Sequence, residues 1–252
     1  MSELELKETV ALVTGASAGI GAAAARALAA RGTAVALVAR REGRLNALVE
    51  ELTASGGRAL AVRADVADAE QAREAVERAV ETWGRLDILV NNAGVNHPGA
   101  PLETPLADWE EMVRVNLLGA MYCAHAAAPH LMRAAEDAPR GVADLINVSS
   151  LSGRIVRKDS GVYTTTKHAL NAFSESLRME LAGHGVRVSL LEPASVATEL
   201  FASGKRPADA RRRDYPQLNP EDVAEVLTFM VTRPAHSSIS ELLFRPSRQD
   251  RV

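Results

Sequence analysis

Tyr163 and Lys167 stand four residues apart in Y-T-T-T-K. On a helix, positions i and i+4 share one face, so a phenol and an ammonium project into the same space. A free phenol, with a pKa of about 10, is a poor proton donor or acceptor near neutrality. An adjacent ammonium favours the phenolate and is expected to lower that value. Ser150 lies upstream at the end of LINVSS, where its hydroxyl can donate to a carbonyl oxygen that gains negative charge. The pairing is hard to ascribe to chance. The chain has three tyrosines and four lysines (Lys7, Lys158, Lys167 and Lys205), so about 0.05 Tyr-x-x-x-Lys pairs are expected at random.

The elements that must carry these side chains follow from hydrophobic patterning. Val10–Thr14, Ala34–Val38, Ala59–Val62, Ile88–Val90, Leu145–Val148, Val186–Leu191 and Ile239–Phe244 read as strands. Most are continuous apolar runs, as expected where both faces of a parallel sheet are covered. Between them, Ile20–Ala30, Arg44–Ala54, Glu70–Trp83, Asp108–Met132, Val162–Ala182 and Pro220–Val231 have helical length and pattern. Asp68 and Asn219 stand at helix N-cap positions, with Gln71 and Asp222 three residues on and Pro220 at the first helical position. This alternation predicts an α/β fold, a doubly wound parallel seven-stranded sheet with helices on both faces. No repeat or linker divides residues 1–252, which read as one dinucleotide-binding catalytic domain. Two stretches look irregular: Ala134–Gly141, read as a polar surface loop, and the charged segment 201–216.

A phosphate cradle follows the first strand. In TGASAGIG, Gly15, Gly19 and Gly21 allow a tight turn and close backbone approach, with Ser17 and Ile20 between them, at the start of a helix whose N–H groups can hold a pyrophosphate. The second strand ends in VALVARR, without the carboxylate that would bind an unphosphorylated ribose diol. Arg40, with Arg41 beside it, is placed to clamp a 2′-phosphate, which predicts a preference for NADPH.

With these motifs in order, the sequence resembles the short-chain dehydrogenase/reductase family over essentially its whole length. TGASAGIG, Asp65-Val66, NNAG (Asn91–Gly94), Asn116 in VNLLG, Ser150 in NVSS, Tyr163-x-x-x-Lys167 and PASVAT (Pro193–Thr198) carry the resemblance. It implies a Rossmann-like fold and assigns roles. Tyr163 is the general acid in reduction and the base in oxidation. Lys167 holds the nicotinamide ribose and lowers the tyrosine pKa. Ser150 orients the carbonyl, and Asn116 holds a water of the proton relay. Asp65 and Val66 contact adenine; Asn91, Asn92, Ala93 and Gly94 flank the adenine ribose. Pro193, Val196 and Thr198 anchor the carboxamide. On the residues alone, Asn91 and Asn92 equally suit a turn, Asp65 an exposed strand end, and Asn116 a bond to its own helix backbone. The chain departs from the family in having Ala194 where glycine is usual, costly if that position needs positive φ. It also has Ala18 where some NADPH users carry a basic residue, which leaves the phosphate to Arg40, Arg41 and Ser17.

Composition narrows the remaining choices. One cysteine, Cys123, excludes an internal disulfide framework, and the six histidines show no metal-ligand spacing, so no metal is expected. A net charge of -3 argues against a nucleic-acid surface. Neither a signal peptide nor a spanning segment is evident, and a cytoplasmic protein is expected. The apolar stretch from Leu117 to Met132 suits burial against the sheet and a partner, consistent with the homo-oligomer, dimer or tetramer, that the family implies. The ending SISELLFRPSRQ resembles the branch holding clavulanate-type aldehyde reductases and serine 3-dehydrogenase-like enzymes, which act on small polar alcohols, aldehydes and ketones. Lys205, Arg206 and Arg211–Arg213 in the segment where the family has its substrate lid, with Arg154, Arg157 and Lys158, suggest a basic mouth for an anionic substrate. The expected activity is thus NADPH-dependent interconversion of a small carbonyl compound and its alcohol. The competing reading is a non-catalytic NADPH-binding sensor or scaffold, which would have no need of a general acid. Arg40→Ala is expected to weaken NADPH by roughly 10–150-fold relative to NADH, the worth of one charge-assisted contact. Titration of both cofactors checks this, and equal affinity of the unaltered protein for the two would sink it.

Overall fold

Seven short runs of Val, Leu, Ile and Ala pair into one wholly parallel sheet in the computed structural model, which describes residues 4–137, 140–201 and 216–249. The strands are β1 (Val10–Thr14), β2 (Ala34–Ala39), β3 (Arg58–Arg63), β4 (Ile88–Asn91), β5 (Ala143–Val148), β6 (Val186–Pro193) and β7 (Glu241–Phe244). Their order is β3-β2-β1-β4-β5-β6-β7. All residues of β1, β2, β4, β5 and β6 are buried, as their continuous apolar runs require. The edge strand β7 alternates exposed with half-buried residues, and β3 is exposed at both ends.

The helices are α1 (Gly19–Ala29), α2 (Glu42–Ala54), α3 (Ala69–Trp83), α4 (Leu106–Val113), α5 (Gly119–Asp137), α6 (Gly161–Leu181) and α7 (Pro220–Val231). Apolar side chains of α1, α2 and α7 bury against one face of the sheet, and those of α3, α5 and α6 against the other. Two sequence expectations need correction. The single helix expected from Asp108 to Met132 is α4 and α5, joined through a π-helical segment, Arg114–Leu118, that contains Asn116. Nor does a polar loop begin at Ala134: α5 continues to Asp137 because Ala134 and Ala135 extend its buried face. Of the segment expected at 201–216 as a lid, residues 202–215 lie outside the described residues, and with them Lys205, Arg206 and Arg211–Arg213.

Caps and buried charges set where the site-bearing loops begin. The Asp68 carboxylate accepts from the N–H groups of Glu70 and Gln71, each at 3.0 Å, and starts α3. The Gln71 amide oxygen accepts from Asp65 N at 3.0 Å and so holds the turn that carries Asp65 and Val66. At the other end of the sheet, Asp144 at the start of β5 takes Arg187 through two bonds of 2.8 and 3.0 Å, and Arg140 through one of 2.8 Å. Both guanidinium groups also donate to Val231 O, which ties the end of α7 to the sheet. Asp144→Ala would leave two nearly buried cations without their carboxylate, and should cost about 3–5 kcal/mol of stability. A urea midpoint no lower than that of the unaltered protein would contradict this account.

Candidate active site

β1 and β4 are neighbours in the sheet but not in sequence, so the chain leaves them toward opposite faces and a crevice opens at their carboxyl ends. A cleft of about 470 Å³ lies there. It is lined by Gly15, Ser17, Gly19, Ile20, Arg40, Arg41, Asp65, Val66, Asn92, Ala93, Gly94, Ser150, Tyr163, Lys167, Pro193, Val196 and Thr198. Of the residues read from the sequence as catalytic or cofactor-binding, Gly21, Asn91 and Asn116 do not line it, and neither do Arg154, Arg157 and Lys158 of the expected basic mouth. Gly15 has φ +67°, and a Cβ on Gly21 would sit 2.5 Å from both Gly15 O and the Asn92 amide nitrogen. That space is kept open for backbone. The Thr14 hydroxyl accepts from the N–H groups of Asn92 and Ala93 at 2.9 and 3.0 Å, and Asn92 Nδ2 donates to Thr14 O at 2.8 Å. Asn92 therefore joins the two loops. Asn91 lies deeper, donating to Asn147 Oδ1 and Ala120 O. α1 starts with no side-chain cap at Ala18, so its first N–H groups are left for an anionic ligand.

The two arginines after β2 differ. Arg41 donates from Nε and Nη2 to Ser17 Oγ at 3.0 and 2.8 Å, and from Nη1 to Glu199 at 2.8 Å. Arg44 donates to the same carboxylate, and hydrogen bonds from Arg41 and Arg44 hold Glu199 below the usual carboxylate range. Arg40 is more exposed and stands 3.9 Å from Asp65 and 3.7 Å from Glu111. Glu111 in turn meets His97 at 2.7 Å. The acids Glu199 and Glu111 gave no sequence signal, since one lies more than 150 residues from its arginine partners and both are ordinary surface residues in composition. Ala194 does not have positive φ, so alanine costs nothing there. Arg154, expected at a basic mouth, is instead bound by Glu192 and Glu241, which neutralise it.

α6 brings Tyr163 and Lys167 to the floor of the cleft, and both are buried. Lys167 Nζ lies 5.8 Å from the Tyr163 ring centroid and donates to Val148 O at 2.9 Å. Ser150 stands two residues after β5, and its Oγ accepts from Ser152 N at 3.1 Å. Asn116 does not simply cap its own helix. Its side chain exchanges bonds of 2.7 and 2.9 Å with the Val95 backbone and donates to Thr166 Oγ1 at 3.2 Å. All of this side chain's visible bonding goes to the loop after NNAG and to α6. Without cofactor, burial pushes Tyr163 up to about 12, opposed only in part by a hydrogen bond with Ser150. Burial also pushes Lys167 down from 10.5 to about 8. Between pH 8 and 10.5 the unfolded chain therefore keeps a lysine proton that the folded chain has released, and stability should rise with pH. From pH 10 to 12 the tyrosine contributes with the opposite sign. Urea unfolding of the protein and of Lys167→Met should show a rise over the first window, at most about 1.4 kcal/mol per pH unit, that the variant lacks. Parallel profiles would contradict the burial of the ammonium.

Comparison with known proteins agrees with this geometry. Residues 9–208 match the family described as short chain dehydrogenase. An uncharacterized oxidoreductase of Methylorubrum extorquens is 39% identical over 251 residues, covering 96% of this chain and 97% of that protein. Glycine betaine reductase of Emericella nidulans is 37% identical over 96% of this chain, although the match spans only 19% of that much longer protein. Among solved structures, the closed form of serine dehydrogenase complexed with NADP+ superposes with a TM-score of 0.84, at 32% identity and 97% coverage of both chains. On the family match and the full-length oxidoreductase relative, this chain belongs to the short-chain dehydrogenase/reductase family.

Proposed function

We propose that this chain is an NADPH-dependent carbonyl reductase, working reversibly as an alcohol dehydrogenase on a small substrate, with residues 1–252 forming one catalytic domain. The observation that carries the reading is that one cleft holds both a buried Ser150–Tyr163–Lys167 cluster and an Arg41–Ser17 pair at its rim. The NADP-bound serine dehydrogenase, similar over nearly the whole chain, supports the choice of cofactor.

The residues fit the dinucleotide. Gly15, at positive φ, suits close backbone approach to the pyrophosphate, Gly21 lets α1 pack against Gly15 and Asn92, and the uncapped start of α1 supplies donors. Arg41 and Ser17, with Arg40 nearby, would hold the 2′-phosphate. Asp65 and Val66 would hold adenine, and Asn92, Ala93 and Gly94 the adjoining ribose. Pro193, Val196 and Thr198 would hold the carboxamide, and Lys167 the nicotinamide ribose. When bound, the cofactor supplies or accepts the hydride. The chain itself handles the proton. A phenol pushed up to about 12 is fully protonated near neutrality, so Tyr163 is ready to donate to the carbonyl oxygen in reduction. Ser150 donates a second hydrogen bond to that oxygen as it gains charge. Lys167, with its pKa near 8, is mostly cationic near neutrality and favours the phenolate that remains. Asn116 fixes the Val95 loop against α6 and, as the resemblance implies, would hold a water of the proton relay. With Arg154 paired to Glu192 and Glu241, its charge gives no ground for restricting the substrate to anions.

Tyr163→Phe should reduce NADPH-dependent turnover of small aldehydes or ketones by about 10²–10⁴-fold while leaving NADPH binding intact by fluorescence titration. Activity that survives the substitution would refute the mechanism. Arg41→Ala should shift the NADPH-to-NADH affinity ratio by about 10–150-fold toward NADH. An unchanged ratio would remove Arg41 from the phosphate site.

A further inference from the structure

Beneath the cleft, β6 buries Glu192 completely, immediately before Pro193. A carboxylate in that position must be matched by donors, because an unpaired buried charge is strongly unfavourable. Two side chains match it. Arg154 Nε donates to Oε2 at 2.6 Å, and Asn171 Nδ2 donates to Oε1 at 2.7 Å. Arg154 belongs to the turn that follows Ser150, and Asn171 stands one helical turn beyond Lys167 on α6. Asn171 also donates to Gly153 O at 3.2 Å and accepts from Ser149 Oγ at 2.6 Å. A Cβ on Gly153 would lie 2.8 Å from the Asn171 amide nitrogen, so this turn is shaped around that side chain. Arg154 reaches further to Glu241 on β7.

We infer that Glu192 is a positioning residue, which locks the turn after Ser150 to the Tyr163–Lys167 helix and to the strand leading into the carboxamide segment. The reasoning is geometric. Ser150, Tyr163 and Pro193 come from three different elements, and their hydroxyl, phenol and backbone must converge on one reacting carbon and oxygen. Among the described residues, Glu192 is the side chain through which both Arg154 and Asn171 are linked to β6. Its substitution by glutamine keeps the volume but turns one acceptor into a donor facing Arg154 or Asn171. The turn keeps its bonds to Asn171 and Glu241 but loses its matched link to β6, so Ser150 is held less firmly relative to Tyr163 and Pro193. Small displacements of this kind act on the reaction step more than on cofactor affinity.

This inference rests on the proposed function for its kinetic arm but not for its structural arm. Hydrogen exchange of Glu192→Gln should show amide protection lost by at least about tenfold in peptides covering residues 149–155, with β1 and β2 unchanged. For whichever carbonyl compound the unaltered protein reduces, kcat should fall by about 10–100-fold while the NADPH dissociation constant stays within about twofold. Arg154→Lys, which keeps the charge, should recover more activity than Arg154→Gln. Native-like protection at 149–155, or a kcat within about twofold of the unaltered value, would overturn the inference. So would protection lost evenly along the chain. If Glu192→Gln does not fold, Arg154→Gln, altered at a partly exposed residue, is put through the same measurements with the same expected and overturning results. Should the unaltered protein reduce no carbonyl compound, the proposed function fails and hydrogen exchange alone decides the role of Glu192.

Discussion

The Thr14 hydroxyl holds together the two loops that part at the centre of the sheet. It accepts from Asn92 N and Ala93 N, while the Asn92 amide returns a bond to Thr14 O. Without that join, the glycine loop after β1 and the NNAG loop after β4 would be two independent turns over a gap. With it, they form one rigid wall, and the remaining site residues are placed against it. The gap itself is forced by topology. Right-handed crossovers that depart to opposite faces cannot cover the carboxyl ends of the two strands between them.

Burial then decides the electrostatics. Tyr163 and Lys167 sit where water cannot stabilise their charged forms, so the phenol is driven up to about 12 and the ammonium down to about 8. Both shifts favour neutral side chains in the free protein. The ammonium lies 5.8 Å from the ring centroid and donates a hydrogen bond to Val148 O. Surface charges around the cleft are treated differently. Arg41, Arg44, Arg154 and Arg40 each stand near a carboxylate, so these four arginines do not form a free positive rim.

The strands were legible because a buried parallel sheet demands continuous apolar runs, and that demand is local. β1 and α7 have the limits read from the sequence, and the others, α4 and α5 apart, shift by one or two residues at their ends. The end of α5 was not legible. Ala134 and Ala135 look neutral beside Glu136 and Asp137, and only the neighbouring sheet reveals that they are buried. The π-helical segment at Asn116 was equally hidden, because no residue type marks an extra residue in a helical turn. The charges around Arg154 misled for a related reason. Glu192 and Glu241 are distant in sequence, and local counting cannot see that β6 and β7 bring them to the same guanidinium.

The candidate site divides along the same line. Tyr163 and Lys167 share a helix face, and the glycines share a turn, so spacing along the chain was enough to find them. The sequence by itself thus determined the order of elements, the chemistry available and the family resemblance. Only the tertiary structure decided how those groups are held. It assigned Ser17 to Arg41, engaged Asn116 with Val95 and Thr166, removed Arg154 from the list of free cations and buried Glu192 between three elements. Hydrogen bonds and ion pairs act over a few ångströms in space, and a sheet with crossovers joins residues whose separation in sequence carries no trace of that distance.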